Sequence, residues 1–512
     1  MKNPDSKSQK LTQRAYLNAV SSILDFSARV LVSLIITPIL VSGLGASVFG
    51  IWQIIGRLAG YVSSADGRPT LALKWVIANS QASADDTIKR RAIGSALGVW
   101  LFALPVLLCI GMVMAWVSPY FVKTSPDHAG TVRIACFLLV VDMILAGLTL
   151  IPASVLRGMN LGYKRMGLVA GLNVLGGLLT ATAVYLGWGL EGIAGAQVVQ
   201  TIITGALFWY LVKMFLPWFG VAWASLREVV DFFKLSIWYA GWSLVNKLLL
   251  ASDVIILGYI ISSAQVTDYV LTGYVAQTLV AVMAVVVGAA LPGLGALFGR
   301  RDFARIIELK REIFIISCFF MMVSGSMILL WNHSFVELWV GDEHYAGNWV
   351  NFLLVATVVQ LLFIRNETYL IDLTLNVRRK VLLGLLSAVL SICCAIMFTQ
   401  LWGVTGLCLG ILLGRSILSI SYPMIIRSNL KAESGPQRGG MLRPLAVMGM
   451  FFITCSLMGG RIVASTWIEL VSLGCLSLVM LIGSAYVFGF SPEQRKRLLY
   501  RFRLVKPLSL EA

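Results

Sequence analysis

Several basic side chains stand in or beside long apolar stretches of this sequence: Arg29, Arg57, Arg68, Lys74, Lys247, Arg365 and Arg415. Asp25, Asp66, Asp142, Asp253, Glu367 and Asp372 share that setting. An ionised group at membrane depth costs several kcal/mol, so each requires a partner, water or a functional use. Arginine offers a planar fork that matches the oxygens of phosphate, and such charge-assisted bonds are strong where water is excluded. The basic set therefore points to a cavity for an anionic substrate, with phosphate as the group recognised.

Spacing sorts these residues further. Asp25 and Arg29 are four apart and share a helix face. They read either as a self-neutralising pair that lowers the cost of insertion, or as an acid that holds Arg29 toward a cavity or itself takes up a coupling proton or sodium ion. Arg57 has Gln53, Ile54, Gly60 and Tyr61 one turn away, so its partner is an acid on another helix or a polar cavity. Lys247 and Asp253 are six apart and point to different sides of one helix. Arg365 and Asp372 stand two turns apart with Thr368 and Tyr369 between them, a polar stripe that is either an intrahelical network or a cavity lining. Arg415, beside Gly414, reads equally as a buried structural residue at a close helix contact, and Asn173, Gln197 and Gln200 as interhelical hydrogen-bonding groups. His333 with Glu337 is at most half a metal site and reads as a solvated pair in an outward loop, as do His128 and His344. The eight cysteines lack metal-ligand spacing and read as apolar packing residues. No metal, cofactor or catalytic residue is expected.

The elements that hold these groups follow from composition. Of 512 residues, 58% are apolar and 13% charged, against about 25% charged in soluble domains, and the mean hydropathy is +0.85. A soluble fold is excluded. The apolar content suffices for about 14 spans of roughly twenty residues. Each must be a helix, because lipid offers backbone amides no partner and the short alternating strands of a barrel are absent. The expected architecture is an all-α polytopic membrane protein. A cytoplasmic tail over 1–14 precedes spans one to six over 15–215, and a linker over 216–231 leads to spans seven to twelve over 232–426. A second linker over 427–444, spans thirteen and fourteen over 445–488 and a basic tail over 489–512 complete it. The first apolar run is too long for a signal peptide and reads as a span. Ala46-Ser47-Val48 and Ala264-Gln265-Val266 occupy matching places in two sets of six spans, as two pseudo-symmetric six-helix bundles would require.

The net charge of +17 comes from 41 Lys and Arg against 24 Asp and Glu. Most of the basic residues fall in the tails and in alternate loops, whereas the opposite loops hold only Lys123, Arg133 and Arg461. This asymmetry predicts a multi-pass protein with both termini cytoplasmic. It argues against nucleic-acid binding, since the charge is dealt out loop by loop along one membrane face.

Short motifs add a resemblance. Asn18-Ala19-Val20, Ile36-Thr37-Pro38-Ile39-Leu40, Gly43-Leu44-Gly45-Ala46, Phe49-Gly50-Ile51-Trp52, Gly60-Tyr61 and Asp66 resemble the opening helices of the Wzx-type polysaccharide flippases. Those share a superfamily with multidrug and toxic compound exporters and lipid II flippases. Leu156-Arg157-Gly158 with Tyr163-Lys164 is similar to the family's turn between spans four and five, and Asp253-Val254-Ile255-Ile256-Leu257-Gly258 to its seventh span. The resemblance implies a V-shaped pair of six-helix bundles in the cytoplasmic (inner) membrane. By alternating access through a cationic central cavity, it would move undecaprenyl-pyrophosphate-linked oligosaccharide to the outer leaflet. It implies Arg29 and Arg57 as cavity residues; Lys247 and Arg365 join them on the charge argument. Asp25, Asp253 and Asp372 are the acids available for pairing or for coupling to a proton or a sodium ion. After Asp66 the sequence departs from the family pattern at Gly67-Arg68-Pro69-Thr70, with Arg68 and Lys74 as candidates for a cytoplasmic entrance.

The expected function is lipid-linked oligosaccharide flipping in polysaccharide biosynthesis, without enzymatic activity. Membrane lipids, a polysaccharide polymerase and assembly proteins are the expected partners. A cation-coupled multidrug exporter is the alternative that Asp25 keeps open. A membrane-embedded polymerase or glycosyltransferase would place catalytic groups on a large outward loop, and the longest here, from Trp331 to Asn348 with Glu337, Asp342 and Glu343, is short.

Overall fold

A computed structural model describes residues 4–63, 69–81, 85–123, 128–299, 301–373, 377–429 and 439–495. The regular elements are all helices: α1 (Pro4–Leu44), α2 (Ala46–Val62), α3 (Pro69–Asn79), α4 (Asp86–Val122), α5 (Ala129–Gly158), α6 (Leu168–Tyr185), α7 (Gly189–Phe215), α8 (Leu226–Ile260), α9 (Ser263–Gly299), α10 (Phe303–Val340), α11 (Asn348–Leu373), α12 (Val377–Asn429), α13 (Gly439–Gly459) and α14 (Trp467–Gly489). Short 3-10 turns cover Gly162–Arg165 and Asp342–His344. Among the described residues 12 helices are long and apolar enough to cross a membrane. One of them, within α12, is two antiparallel helices joined at a sharp turn, since Trp402 and Gly403 leave helical angles and Gly403 adopts φ 59°, and Gly410 and Gly414 of the second segment pack on Ala395 and Ser391 of the first. With the 17-residue α2, this agrees with the expected fold of about 14 spanning helices.

Several helices outrun their apolar segments. The apolar runs predict starts near 92, 232 and 313, yet α4, α8 and α10 begin at Asp86, Leu226 and Phe303. Polar caps explain the extra turns. Asp85 accepts from the Thr87 amide at 2.8 Å, Ser225 and Glu228 form a reciprocal capping box, and Asp302 accepts from the Arg305 amide at 3.2 Å. Hydrogen bonds from Thr87 hold the Asp85 carboxyl below the usual carboxylate range, and bonds from Ser225 do the same for Glu228.

Two expectations for loops are corrected. The stretch between the apolar runs of spans two and three, which hydropathy leaves as an inward loop near 74–91, belongs in part to α3, for which Pro69 supplies a favourable first residue. The outward loop expected from Trp331 is mostly helix, because α10 continues to Val340 and only residues 341–347 separate it from α11. Asp66 and Arg68 lie outside the described residues.

By compactness the chain divides into Met1–Thr267 and Asp268–Ala512. In the first unit α5 packs along α7, α1 along α6, and α2 against α8. Small residues permit these approaches: a Cβ on Gly205 would overlap Thr149, and one on Gly177 would overlap Val32. In the second unit α10 is central and packs against α11, α13 and α14. Its buried Met321, Met322, Leu329 and Trp331 meet Val355, Phe452, Leu481 and Phe490 in one apolar core. Outward faces of α14 are apolar and exposed, as at Ile468 and Val479, which suits contact with lipid.

Candidate functional site

In the first unit a cavity of about 280 Å³ lies between α2, α5 and α7, lined by Trp52, Gln53, Gly56, Arg57, Leu139, Met143 and Gln197. Arg57 is the charged group in its wall. It is half-buried and makes no ion pair or hydrogen bond among the described residues. Gln53 and Gly56 share its helix face, so α2 presents a polar donor and a gap beside the guanidinium. On α5, next to Met143, Asp142 accepts a 2.5 Å hydrogen bond from the Thr201 hydroxyl of α7. The other amides divide: Gln200 donates to the Leu172 carbonyl at 2.9 Å and Asn173 to the Asp25 carbonyl at 3.5 Å, as interhelical bonds, whereas Gln197 faces the cavity.

One turn beyond Arg57, α2 meets Lys247 of α8. A Cβ on Gly60 would sit 3.2 Å from Lys247 Nζ, so the glycine makes room for that side chain. Tyr61 donates to the Lys247 carbonyl at 3.3 Å and shares a 2.7 Å hydroxyl–hydroxyl bond with Ser252. Asp253 accepts from the Val254 amide at 2.9 Å.

The pairing of Asp25 differs from the expectation drawn from spacing. Its carboxylate forms an ion pair with Arg165, 3.6 Å away, with both side chains largely buried. Arg29 and Arg157 are its other electrostatic neighbours, and Lys74 in turn faces Arg157. The 3-10 turn Gly162–Arg165 folds against α1, while α3 packs on α5 beside Gly158, and these two contacts gather the cluster. Arg29 does not line the cavity that holds Arg57. Arg157 and Arg165 flank apolar runs, where they read as orientation charges. The turn motif after span four includes Arg157 but stops short of Arg165.

Arg365 belongs to the second unit, half-buried on α11. The expected stripe with Asp372 is broken by other partners. Asp372 pairs with Lys380 of α12 at 2.5 Å, and Lys380 is only 1% exposed, its carbonyl accepting from Tyr422 at 3.1 Å. Glu367 pairs with Lys310 of α10 at 2.8 Å, and Asn366 donates to Ser317 at 2.8 Å. Gly414 brings α12's two segments together: Ser387 donates to its carbonyl at 2.9 Å, and adjacent Arg415 is buried.

The histidines also depart from the loop reading. His344 is buried and contacts Asp268 at 3.1 Å, next to a network in which Asn332 donates to the Thr272 carbonyl and to Asn351. His333 lies inside α10, contacts Asp342 at 2.8 Å and stacks on Tyr345 at 4.5 Å between ring centres. Polar atoms of His333, Glu337 and Asp342 lie within 4.8 Å of one another. All eight cysteines are free thiols.

Comparison of the sequence with protein-family models and with curated proteins found no match. Comparison of the fold with solved structures was informative. An inward-facing multidrug resistance MATE-family transporter of the MOP superfamily matches with TM-score 0.63 at 16% identity, over 81% of this chain and 99% of that one. A MATE transporter in the bent conformation matches with TM-score 0.55 at 13% identity, over 87% and 97%. The lipid II flippase MurJ, in an inward closed conformation, matches with TM-score 0.62 at 12% identity, over 95% and 99%. The chain is thus a multi-pass membrane protein with the fold of the MOP-superfamily transporters and flippases.

Proposed function

We propose that the protein flips undecaprenyl-pyrophosphate-linked oligosaccharide from the inner to the outer leaflet of the cytoplasmic membrane during polysaccharide biosynthesis. The observation that carries this reading is Arg57 in the wall of an intramembrane cavity with no acidic partner among the described residues. A half-buried guanidinium in an apolar surround without a counter-ion is costly unless an anion or water enters to meet it. Pyrophosphate suits it, because the fork bonds two oxygens at once. Lys247 at Gly60 extends the cationic face along α2 toward α8, and Arg29 and Arg365 are further cations, outside the wall of this cavity, available to the substrate in this reading. The similarity to a lipid II flippase over 95% of the chain adds support.

Both termini are cytoplasmic in this reading, as the distribution of Lys and Arg requires. The two lobes expose the cavity to each side in turn, coupled to a proton, a sodium ion or the membrane potential. Asp25, Asp253 and Asp372 are the acids available to that coupling. A polysaccharide polymerase and assembly proteins would receive the product.

A second reading is cation-coupled multidrug export, favoured by Asp142 beside the cavity and by the fold of the MATE transporters. One experiment separates them. In cells lacking the protein, complete lipid-linked oligosaccharide should accumulate in the inner leaflet. Complementation by Arg57→Ala or Arg57→Lys should fail while the amount of protein in the membrane stays normal. Accumulation in the outer leaflet, or full complementation by Arg57→Ala, would sink the flippase reading with this cavity.

A further inference from the structure

Around Asp25 the first unit holds more positive charge than it neutralises. Arg29, Arg157 and Arg165 lie within electrostatic range of one carboxylate, and Lys74 faces Arg157. These side chains come from α1, the end of α5, the turn before α6, and α3. Among the described residues Asp25 is the only acid acting on the group. Repulsion within such a set is relieved by an anion or by water; Arg29 and Arg157 are exposed, whereas burial weakens the second remedy at Arg165, whose side chain is 11% exposed.

Two buried atoms point to an unfilled position. Asp25 Oδ1 and Arg165 Nε have no hydrogen-bond partner, although the two side chains are 9% and 11% exposed and their charged ends are 3.6 Å apart. The pair is therefore a loose contact, and the guanidinium keeps a donor to spare. Arg157 is exposed and Lys74 half-buried, so the cluster opens outward on one side. That end of the unit, where α1 enters its apolar stretch after Val20, α5 finishes and α6 begins, is the one the basic loops assign to the cytoplasm. The neighbouring Lys164 is otherwise engaged, stacked over Phe215 at 4.6 Å.

We propose that Arg157 and Arg165, with Arg29 and Lys74, form a docking site for a diphosphate group at this end of the first unit, and that Asp25 is its built-in counter-ion. The carboxylate holds Arg165 in place while the site is empty and gives it up when phosphate oxygens arrive. An anion with two or more charges wins that exchange, since it satisfies several cations where Asp25 meets one. The site is separate from the cavity of Arg57. It rests on the flippase reading for the source of the diphosphate, a prenyl lipid headgroup waiting at the cytoplasmic leaflet.

The test is binding of inorganic pyrophosphate and of farnesyl diphosphate to the purified full-length protein in detergent, followed by calorimetry. Arg165→Gln and Arg157→Gln should each weaken pyrophosphate about tenfold, the usual order for one charge-assisted bond. Asp25→Asn should bind it several times more tightly, because the internal competitor is gone. Both ligands are titrated into protein that carries Arg57→Ala throughout, so that binding at the cavity does not enter the affinities compared. Tighter binding of farnesyl diphosphate with the same variant pattern supports the lipid headgroup as ligand. Equal affinity for both keeps the docking site, assigns it to free pyrophosphate and removes its link to flipping. Weaker or unchanged pyrophosphate binding in Asp25→Asn overturns the counter-ion role. Arg157 is exposed, so its variant should fold even where changes at buried Arg165 do not, and unchanged affinity in Arg157→Gln overturns the site. Normal export in cells lacking the protein, while these affinities behave as expected, would count against the flippase reading alone.

Discussion

Lys380 and Asp372 show how unequal the two members of an ion pair can be. The lysine side chain is 2% exposed and the aspartate side chain 45%, so removing one does not mirror removing the other. Without Asp372 a buried cation has lost this ion pair; without Lys380 a carboxylate is left that water can still reach. Breaking a fully buried pair costs roughly 3–5 kcal/mol, and discounting for the exposed acid gives about 2 kcal/mol for Asp372→Asn and less than about 1 kcal/mol for Lys380→Met. The thermal unfolding midpoint in detergent should fall more for Asp372→Asn, and the opposite order would show that the lysine is better hydrated than its burial implies. At this scale the sequence revealed which residue types were costly in lipid and only some of their partners. Asp25 with Arg165, Glu367 with Lys310 and Asp372 with Lys380 each pair a residue inside an apolar run with a cation at the edge of another run. A cation at such an edge reads equally well as an orientation signal.

Helix contacts turn on small residues whose surroundings differ sharply. A Cβ on Gly414 would overlap the backbone of Ser391, so Gly414→Ala must part the two segments of α12, whereas a Cβ on Gly56 meets nothing within 4 Å. Gly56→Ala should therefore leave stability unchanged or raise it by up to about 1 kcal/mol, as expected for removing glycine from a helix interior. Gly414→Ala should lower the unfolding midpoint and the yield of monodisperse protein on gel filtration. Gly56→Leu would fill space beside Arg57 and should reduce export without loss of folded protein, a separation that comparing transport with membrane abundance would reveal. The spans themselves were legible from hydropathy, including the break near 402, because an apolar run of span length leaves the backbone no option but helix. Helix ends were not. The early starts of α4, α8 and α10 depend on caps such as the Ser225–Glu228 box, which are set in water and leave no mark on hydropathy.

For the whole molecule, the last two helices are structural members of the second unit. α13 and α14 cover α10, with Phe452 against Gly325 and the Trp331 indole donating to Ser477 at 2.8 Å. A chain ending at 438 would leave the Met321–Met322–Leu329–Trp331 face of α10 without its cover, although lipid or detergent can replace part of that contact. Such a truncation should express as aggregated or degraded protein, read by gel filtration of a fluorescent fusion; a monodisperse product would show that the pair is dispensable for folding. The similarity to a lipid II flippase over 95% of the chain fits a fold that includes this pair.

Composition and hydropathy by themselves determined that this chain is a helical membrane protein with about 14 spans. These properties are legible because they are sums over local residues, and lipid penalises every departure at the place where it occurs. Which charges meet was decided only by the tertiary structure. Arg57 faces a cavity because α5 and α7 bring Leu139, Met143 and Gln197 opposite it, and Arg165 reaches Asp25 because a short turn folds back onto α1. Those contacts join residues far apart in sequence, and packing between helices, with no counterpart in the order of residues along one helix, fixes them.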